Sequence, residues 1–347
     1  MTFLFVIICV FLVLMFTPIL IGRYSQNFSQ NRPLYVRSEN RKDPRYFAKS
    51  FTALMNGALK TYDGSGTIAL SRPERLLTTG RIAGPQSPCE AVVYAPEALC
   101  VEPGCVVKKE IYAGQSAVVE ERAQVRAIAC KTRLLLKEGV VIDRWADANR
   151  RLEAEAGCSL GISATSGYEL LIGRDCRFKR LYGSEIRIGG GYGLEKMHLA
   201  DVYYNRFTQI VYRLGGDTVL DAGERAENAF VTRENFCAGE RCVIFGSVRA
   251  GKNVRLRRNT VVTGNVFADG DIVLEEGVQV YGDVFSQESV YIGGDCGIGR
   301  RGHIKSVVAR ARIVVSEHAT IYGYMAAEQA GTVVARERYH AAISEKY

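Results

Sequence analysis

The stretch from Ile244 to Val284, IFGSVRAGKNVRLRRNTVVTGNVFADGDIVLEEGVQVYGDV, repeats an apolar residue at every sixth position. Extended in both directions the series reads Phe230, Phe236, Cys242, Val248, Val254, Thr260, Val266, Ile272, Val278, Val284, Val290 and Cys296, and only Thr260 interrupts it. A second series runs two residues behind: from Ile244 through Ala250, Leu256, Val262, Ala268, Leu274, Val280, Ser286 and Ile292 to Ile298. Each unit is therefore an apolar-x-apolar strand followed by a polar corner. Alternation within the unit is a strand signal, and repetition of the unit predicts a β-solenoid whose coils bury their inward residues against one another.

A longer beat gives the size of a coil. The units Ile244-Phe-Gly246-Ser-Val248, Val262-Thr-Gly264-Asn-Val266 and Val280-Tyr-Gly282-Asp-Val284 align at Gly246, Gly264 and Gly282, two steps of eighteen. Three six-residue faces per turn predict an all-β fold, a triangular parallel β-helix that advances by one strand spacing, roughly 4.8 Å, per turn. Glycine suits such a corner because positive φ is cheap there and a side chain would crowd the next coil. Val248, Val254, Val266, Ile272, Val278, Val284 and Val290 form the expected core of the rod.

The chain has 347 residues, 47% of them hydrophobic, and 45 basic against 37 acidic residues for a formal charge of +8. That length suits one large domain or two ordinary ones. Thr2 to Gly22 carries no charge, which predicts an N-terminal transmembrane helix over residues 1–22. A cleaved signal peptide would show a basic start and a small-residue cleavage site, and neither is present. Beyond the stretch, Arg23, Arg32, Arg37, Arg41, Lys42, Arg45 and Lys49 face only Glu39 and Asp43, so the bulk of the chain is expected on the cytoplasmic side of the inner membrane. The same residues can hold anionic lipid head groups, although simple topogenic charge is the plainer reading. Because the excess charge sits beside the apolar stretch and not on an aromatic platform, a nucleic-acid partner is disfavoured.

Residues 23–90 read as a basic linker followed by an amphipathic helix, with Phe47, Phe51, Leu54, Met55 and Leu59 at helical spacing between Pro44 and Tyr62. That helix is expected to cap the solenoid or to lie on the bilayer. A first, irregular array is expected over residues 91–190, where Cys158, Ala164, Leu170, Cys176, Tyr182 and Ile188 again step by six and Tyr112, Ile128 and Trp145 mark successive turns. Residues 191–229 break the pattern and read as an insertion. The regular array follows over 230–330, and a charged tail over 331–347.

Chemistry is sparse. The ten cysteines include no C-x-x-C pair, and Cys242 and Cys296 fall in the inward register, where a small buried apolar residue is the expectation; with four histidines in all, zinc is not indicated. Left-handed hexapeptide acyltransferases also use six-residue faces, and His303 and His318 would be the only candidate bases. The residues after the inward positions include Arg257, Asp269, Glu275 and Tyr281, a poor match to the small residues such enzymes prefer. Gly189-Gly-Gly191-Tyr-Gly193 lacks the following Lys-Ser or Lys-Thr of a phosphate loop and reads as a turn. No catalytic residue, metal or cofactor is implied.

The Gly-Ser/Asn/Asp-Val units at 246–248, 264–266 and 282–284 within an eighteen-residue coil resemble the bactofilins, a bacterial polymer-forming cytoskeletal family. The resemblance is good from Cys242 to Met325 and faint from Ala91 to Gly190. It implies a right-handed β-helix, nucleotide-independent assembly into filaments, and association with the inner face of the membrane alongside envelope or cell-wall proteins. Typical members carry one compact array, whereas this sequence carries a second array and an insertion. The expectation is a membrane-anchored scaffold that self-assembles or docks partners, with Ile321, Tyr322 and Tyr324 in the last coil as candidates for an end-on contact.

Overall fold

The three strands Val248–Ala250, Val254–Leu256 and Val261–Val262 make one coil of the protein, and each pairs in parallel with the strand eighteen residues on. Val248 lies over Val266 and Val284, Val254 over Ile272 and Val290, and Val262 over Val280 and Ile298. This computed structural model describes residues 43–84, 87–189 and 210–344. They form a β-solenoid of about thirteen turns with about 18 residues per turn. Val248, Val254, Val266, Ile272, Val278, Val284 and Val290 all point inward and are fully buried.

The polar interruptions of the repeat are built into its corners. Thr260 is buried at the place where neighbouring coils put Cys242 and Cys296, and its hydroxyl donates to the Gly239 carbonyl at 2.8 Å. Cys242 and Cys296 point their thiols at the Asp221 and Glu275 carbonyls at 2.9 and 3.0 Å, and Cys176 does the same to Glu155 in the other array. The column takes small side chains: where the residue is polar it donates to the preceding coil, and where it is apolar, as at Val278, Ala123 and Val140, it is simply buried. Ser286, the break in the second series, likewise donates to Gly270 at 2.7 Å.

Positive φ belongs to a different corner from the one the glycine repeat marks. It recurs just before the thiol position, at Gly223, Arg241, Asn259, Gly277 and Asp295 in one array and at Gly104, Arg122, Gly139, Gly157 and Asp175 in the other. Gly246, Gly264 and Gly282 have ordinary φ. They are required by close approach alone: a Cβ on Gly264 would stand 2.6 Å from the Gly246 carbonyl carbon, and one on Gly282 would collide with the Gly264 oxygen.

Two corners of the regular array carry polar ladders. The side chains of Asp217, Asn235, Asn253 and Asp271 each accept the backbone N–H of the residue eighteen positions later, ending at Ser289. Ser247, Asn265 and Asp283 repeat the device up to Ser306. Each rung satisfies a backbone donor that the turn leaves without a strand partner.

The array begins earlier than the apolar series does. Val211–Leu214, Thr218–Leu220 and Arg225–Ala226 form a coil that pairs with Ala229–Thr232, Phe236–Ala238 and Val243–Ile244. The first array also begins earlier, the strand Pro73–Thr78 stacking on Val92–Ala95 and carrying the antiparallel strand Thr67–Ala69 on its other edge. Its step varies from coil to coil, eighteen residues from Val93 to Ile111, seventeen to Ile128, eighteen to Ala146 and to Ala164, and seventeen to Leu181, with bulges after Val107 and Ile142. Tyr112, Ile128 and Trp145 do not share a column: Ile128 points inward between Ile111 and Ala146, whereas Tyr112 pairs with Ala129 and Trp145 with Ala127 on the outer surface.

Those outward aromatics are covered by helix α1 (Tyr46–Leu59), which buries Ala48 and Met55 against Val92, Tyr112, Ala127, Ala129 and Trp145. The helix lies along a side of the rod, not over its end. A second helix, α2 (Arg336–Ser344), covers Val273 and Tyr291 on the other array, with Tyr339 buried and its hydroxyl donating to the Leu274 carbonyl at 2.7 Å. The residues read as a charged tail thus include part of a long strand, Thr320–Val334, and this helix.

The expected fold class is corrected at its N-terminal element. Among the described residues no helix is long and apolar enough to cross a membrane, and residues 1–22, where the sequence reading sets a transmembrane helix, lie outside them. The described fold is the solenoid and two lateral helices.

Candidate functional site

The ends of the two arrays decide what the rod can do, because an uncovered coil presents unpaired backbone groups and the apolar cross-section of the core. The last coils of both arrays meet inside the chain. Strand Arg177–Ile188 runs antiparallel to Thr320–Val334, with Leu181 opposite Met325, Tyr182 opposite Tyr324 and Ile186 opposite Ile321. Phe178 packs over Gly331, where even a Cβ would run into its ring. Leu181, Ile186, Ile188, Ile321 and Met325 are fully buried, and one apolar cluster continues through the junction from Ile82 to Val333. Arg174 pairs with Glu317 at 2.9 Å, and Arg338 with Asp175 at 3.0 Å, across the same seam.

Ile321, Tyr322 and Tyr324 therefore sit in an end-on contact, and their partner is the other array of the same chain. A charge at Ile321 would strike the buried junction and not a free end.

Among the described residues, nothing covers the opposite end of the regular array. Among the described residues, Val211–Leu214, Thr218–Leu220 and Arg225–Ala226 pair on one side only. Val211, Tyr212, Leu214 and Val219 are 45%, 50%, 39% and 69% exposed, an apolar group unlike any other coil of this array. Tyr212 stacks edge-on over Phe230 at 6.0 Å, and Phe230 over Phe236 at 5.3 Å, so aromatic rings fill the core behind the open face. This coil falls within residues 191–229, where the sequence pattern predicts an insertion. Its signal is present eighteen residues before Phe230, Phe236 and Ile244, at Tyr212, Thr218 and Ala226, but Thr218 and Glu224 break the apolar count.

The other candidates separate. His303 is exposed beside Arg300 at 2.9 Å, and His318 is an exposed corner residue with φ of 66°. Neither histidine lines the surface depressions of the described residues named below. The nine described cysteines are free, and burial pushes the Cys130 thiol up to about 11 and Cys296 up to about 12, which keeps both protonated and unreactive. Among the described residues no group of His, Cys, Asp and Glu could hold a metal ion. Of the residues named for a basic membrane surface, Arg23, Arg32, Arg37, Arg41 and Lys42 lie outside the described residues. Arg45 is committed elsewhere: its guanidinium grips Asp147 with two hydrogen bonds of 2.7 and 2.8 Å, tying the start of α1 to the solenoid.

Depressions mark the surface of the described residues. One of about 600 Å³ crosses the junction beside Tyr168, Arg187, Arg301 and Ile304. Another of about 340 Å³ lies at Glu276 and His340 under α2, and a third of about 450 Å³ lies between α1 and the outer face of the first array. No family model, curated protein or solved structure matches this chain.

Proposed function

We propose that the protein is a structural scaffold: a stiff solenoid rod that self-associates through the open end of its regular array and docks partners along its sides. The observation that carries the reading is the inequality of the ends. Two terminal coils are already closed against each other within the chain, and one terminal coil is left with exposed Val211, Tyr212, Leu214 and Val219 and an unpaired edge among the described residues. Closing such an edge with a like edge is the least demanding way to satisfy its backbone. The likeness of the repeat to the bactofilins supports the same reading. The uncharged stretch 2–22 and its basic flank support a location at the inner face of a membrane.

Light scattering and negative-stain electron microscopy of the full chain test the proposal. Rods longer than one chain are expected, and Val219→Asp combined with Leu214→Asp should dissociate them with little change in melting temperature, because both residues are exposed. A monodisperse single rod for the unaltered chain would end the self-assembly reading. The depression at Tyr168 and Ile304, which are 66% and 54% exposed, would then favour a scaffold that only docks partners.

A further inference from the structure

The groove between α1 and the first array is built like an amphiphile site. Phe47, Phe51 and Leu54 follow one another at helical spacing along one wall, and Leu70, Val92 and Trp145 supply apolar surface opposite. Phe47 and Leu54 are 54% and 45% exposed, although α1 had the whole lateral face of the solenoid on which to bury them. The rim is basic: Arg72, Lys109, Arg126 and Arg144 stand against Glu74 and Glu110. Glu74 is taken by Arg72 at 2.6 Å and Lys109 at 3.0 Å, and Glu110 by Arg126 at 3.0 Å. Two carboxylates thus hold three cations, and Arg144 is exposed at the rim in addition.

We propose that this groove and the exposed edge of α1 bind the surface of an anionic phospholipid bilayer, apolar walls against acyl chains and the basic rim against head groups. Two features select lipid over a protein partner. The groove pairs apolar walls with a surplus of positive charge, as a helix lying in a membrane interface does. Residues 1–42, outside the described residues, lead into α1: the basic residues 23–45 join the uncharged stretch 2–22 to Tyr46, so any hold the uncharged stretch has on a membrane keeps α1 within a linker's length of the same surface. The inference deepens the membrane-face location proposed above and rests on it. The paired Arg45–Asp147 contact keeps α1 fixed to the solenoid, so binding orients the whole rod relative to the bilayer.

The chain contains one tryptophan, and it lines this groove. The full chain is reconstituted with vesicles of phosphatidylcholine alone or with added phosphatidylglycerol, each with bromine-labelled acyl chains, and Trp145 emission is recorded. Quenching is expected with phosphatidylglycerol and to be largely lost without it. Phe47→Asp and Leu54→Asp should abolish it, and Arg144→Glu should weaken it at least fivefold, since one surface charge near anionic lipid is worth about that factor. These residues are exposed, and an unchanged melting curve shows that the fold is kept. Equal quenching in both lipids, or quenching untouched by the three substitutions, overturns the site while leaving membrane location standing, because flotation of the chain with the vesicles is scored separately. A chain that fails to float with either vesicle removes the location and the site together.

Discussion

The two arrays solve the same packing problem with different regularity. In the C-terminal array every coil takes eighteen residues up to Ile298, and asparagine and aspartate ladders pin two of its corners. The N-terminal array varies its step, mostly between seventeen and eighteen, bulges twice, and turns Tyr112 and Trp145 outward under α1. A ladder works only if the same atom returns above itself in each turn, so it enforces a constant step. A covering helix does not by itself loosen the step: it varies in the array under α1, whereas α2 packs on Val273 and Tyr291 where the step stays at eighteen. Regularity here follows from what stabilises the corners, and one buried apolar cluster runs through both arrays.

The largest expected effect tests that shared core. Val266→Asp places an unpaired charge among fully buried residues and should cost several kcal/mol, whereas Arg257→Asp at an exposed corner should cost under about 0.5 kcal/mol. Thermal melts followed by circular dichroism distinguish them, and similar midpoints would remove the coil assignment.

Second in size is the seam that makes two arrays one body. Gly331→Leu forces a side chain into the Phe178 ring, an overpacking expected to cost about 1–3 kcal/mol or more. The arrays should then unfold in two transitions, the N-terminal one at nearly its own midpoint. A single transition at a lower temperature would mean that the arrays are coupled by something other than the antiparallel seam.

A smaller effect isolates the ladder. Asn253→Ala removes the acceptor for the Asp271 N–H and the rung to Asn235, and should cost about 1 kcal/mol. Asn149→Ala, in the irregular array, loses one exposed contact to Arg45 and should cost less than half of that. Equal costs would show that the ladder does not set the step.

The same contrast explains what could be read from the sequence. Period six and period eighteen are visible from Phe230 to Ile298 because one residue class occupies each column. The first array hid its register, since inward Ile111, Ile128 and Ala146 lie beside equally apolar outward Tyr112, Ala127 and Trp145, and composition alone does not say which side a helix covers. Gly246, Gly264 and Gly282 were legible as a column, but close approach and positive φ leave the same mark in a sequence. The tail-to-tail seam was not legible at all. Antiparallel closure between Arg177–Ile188 and Thr320–Val334 joins residues about 140 positions apart without any repeat relating them, and the open coil at Val211 becomes a candidate surface only once the other end is seen to be closed.

The finest distinction concerns the helices that cover each array. α1 is held by the Arg45–Asp147 pair, both side chains nearly buried, while α2 is held at Glu276, which receives Arg336 and, at 3.2 Å, His340. The hydrogen bond from Arg336 holds the Glu276 carboxyl below its ordinary range, with partial burial opposing and His340 adding to the shift. A carboxylate lowered in the folded state contributes stability that is present above its unfolded pKa and is lost as pH falls through the folded value. Docking of α2 should therefore be unchanged at neutral pH and loosen only on acidification below the usual carboxylate range. Amide hydrogen exchange across residues 336–344, corrected for the intrinsic rate, should rise there. Glu276→Gln should show the raised exchange already at neutral pH and lose the acid dependence. If exchange in the unaltered chain stays flat down to the point of global unfolding, then buried Tyr339 and Ile343, with the Tyr339 hydroxyl on the Leu274 carbonyl, hold α2 without help from Glu276, and the two helices differ less than their ion pairs suggest.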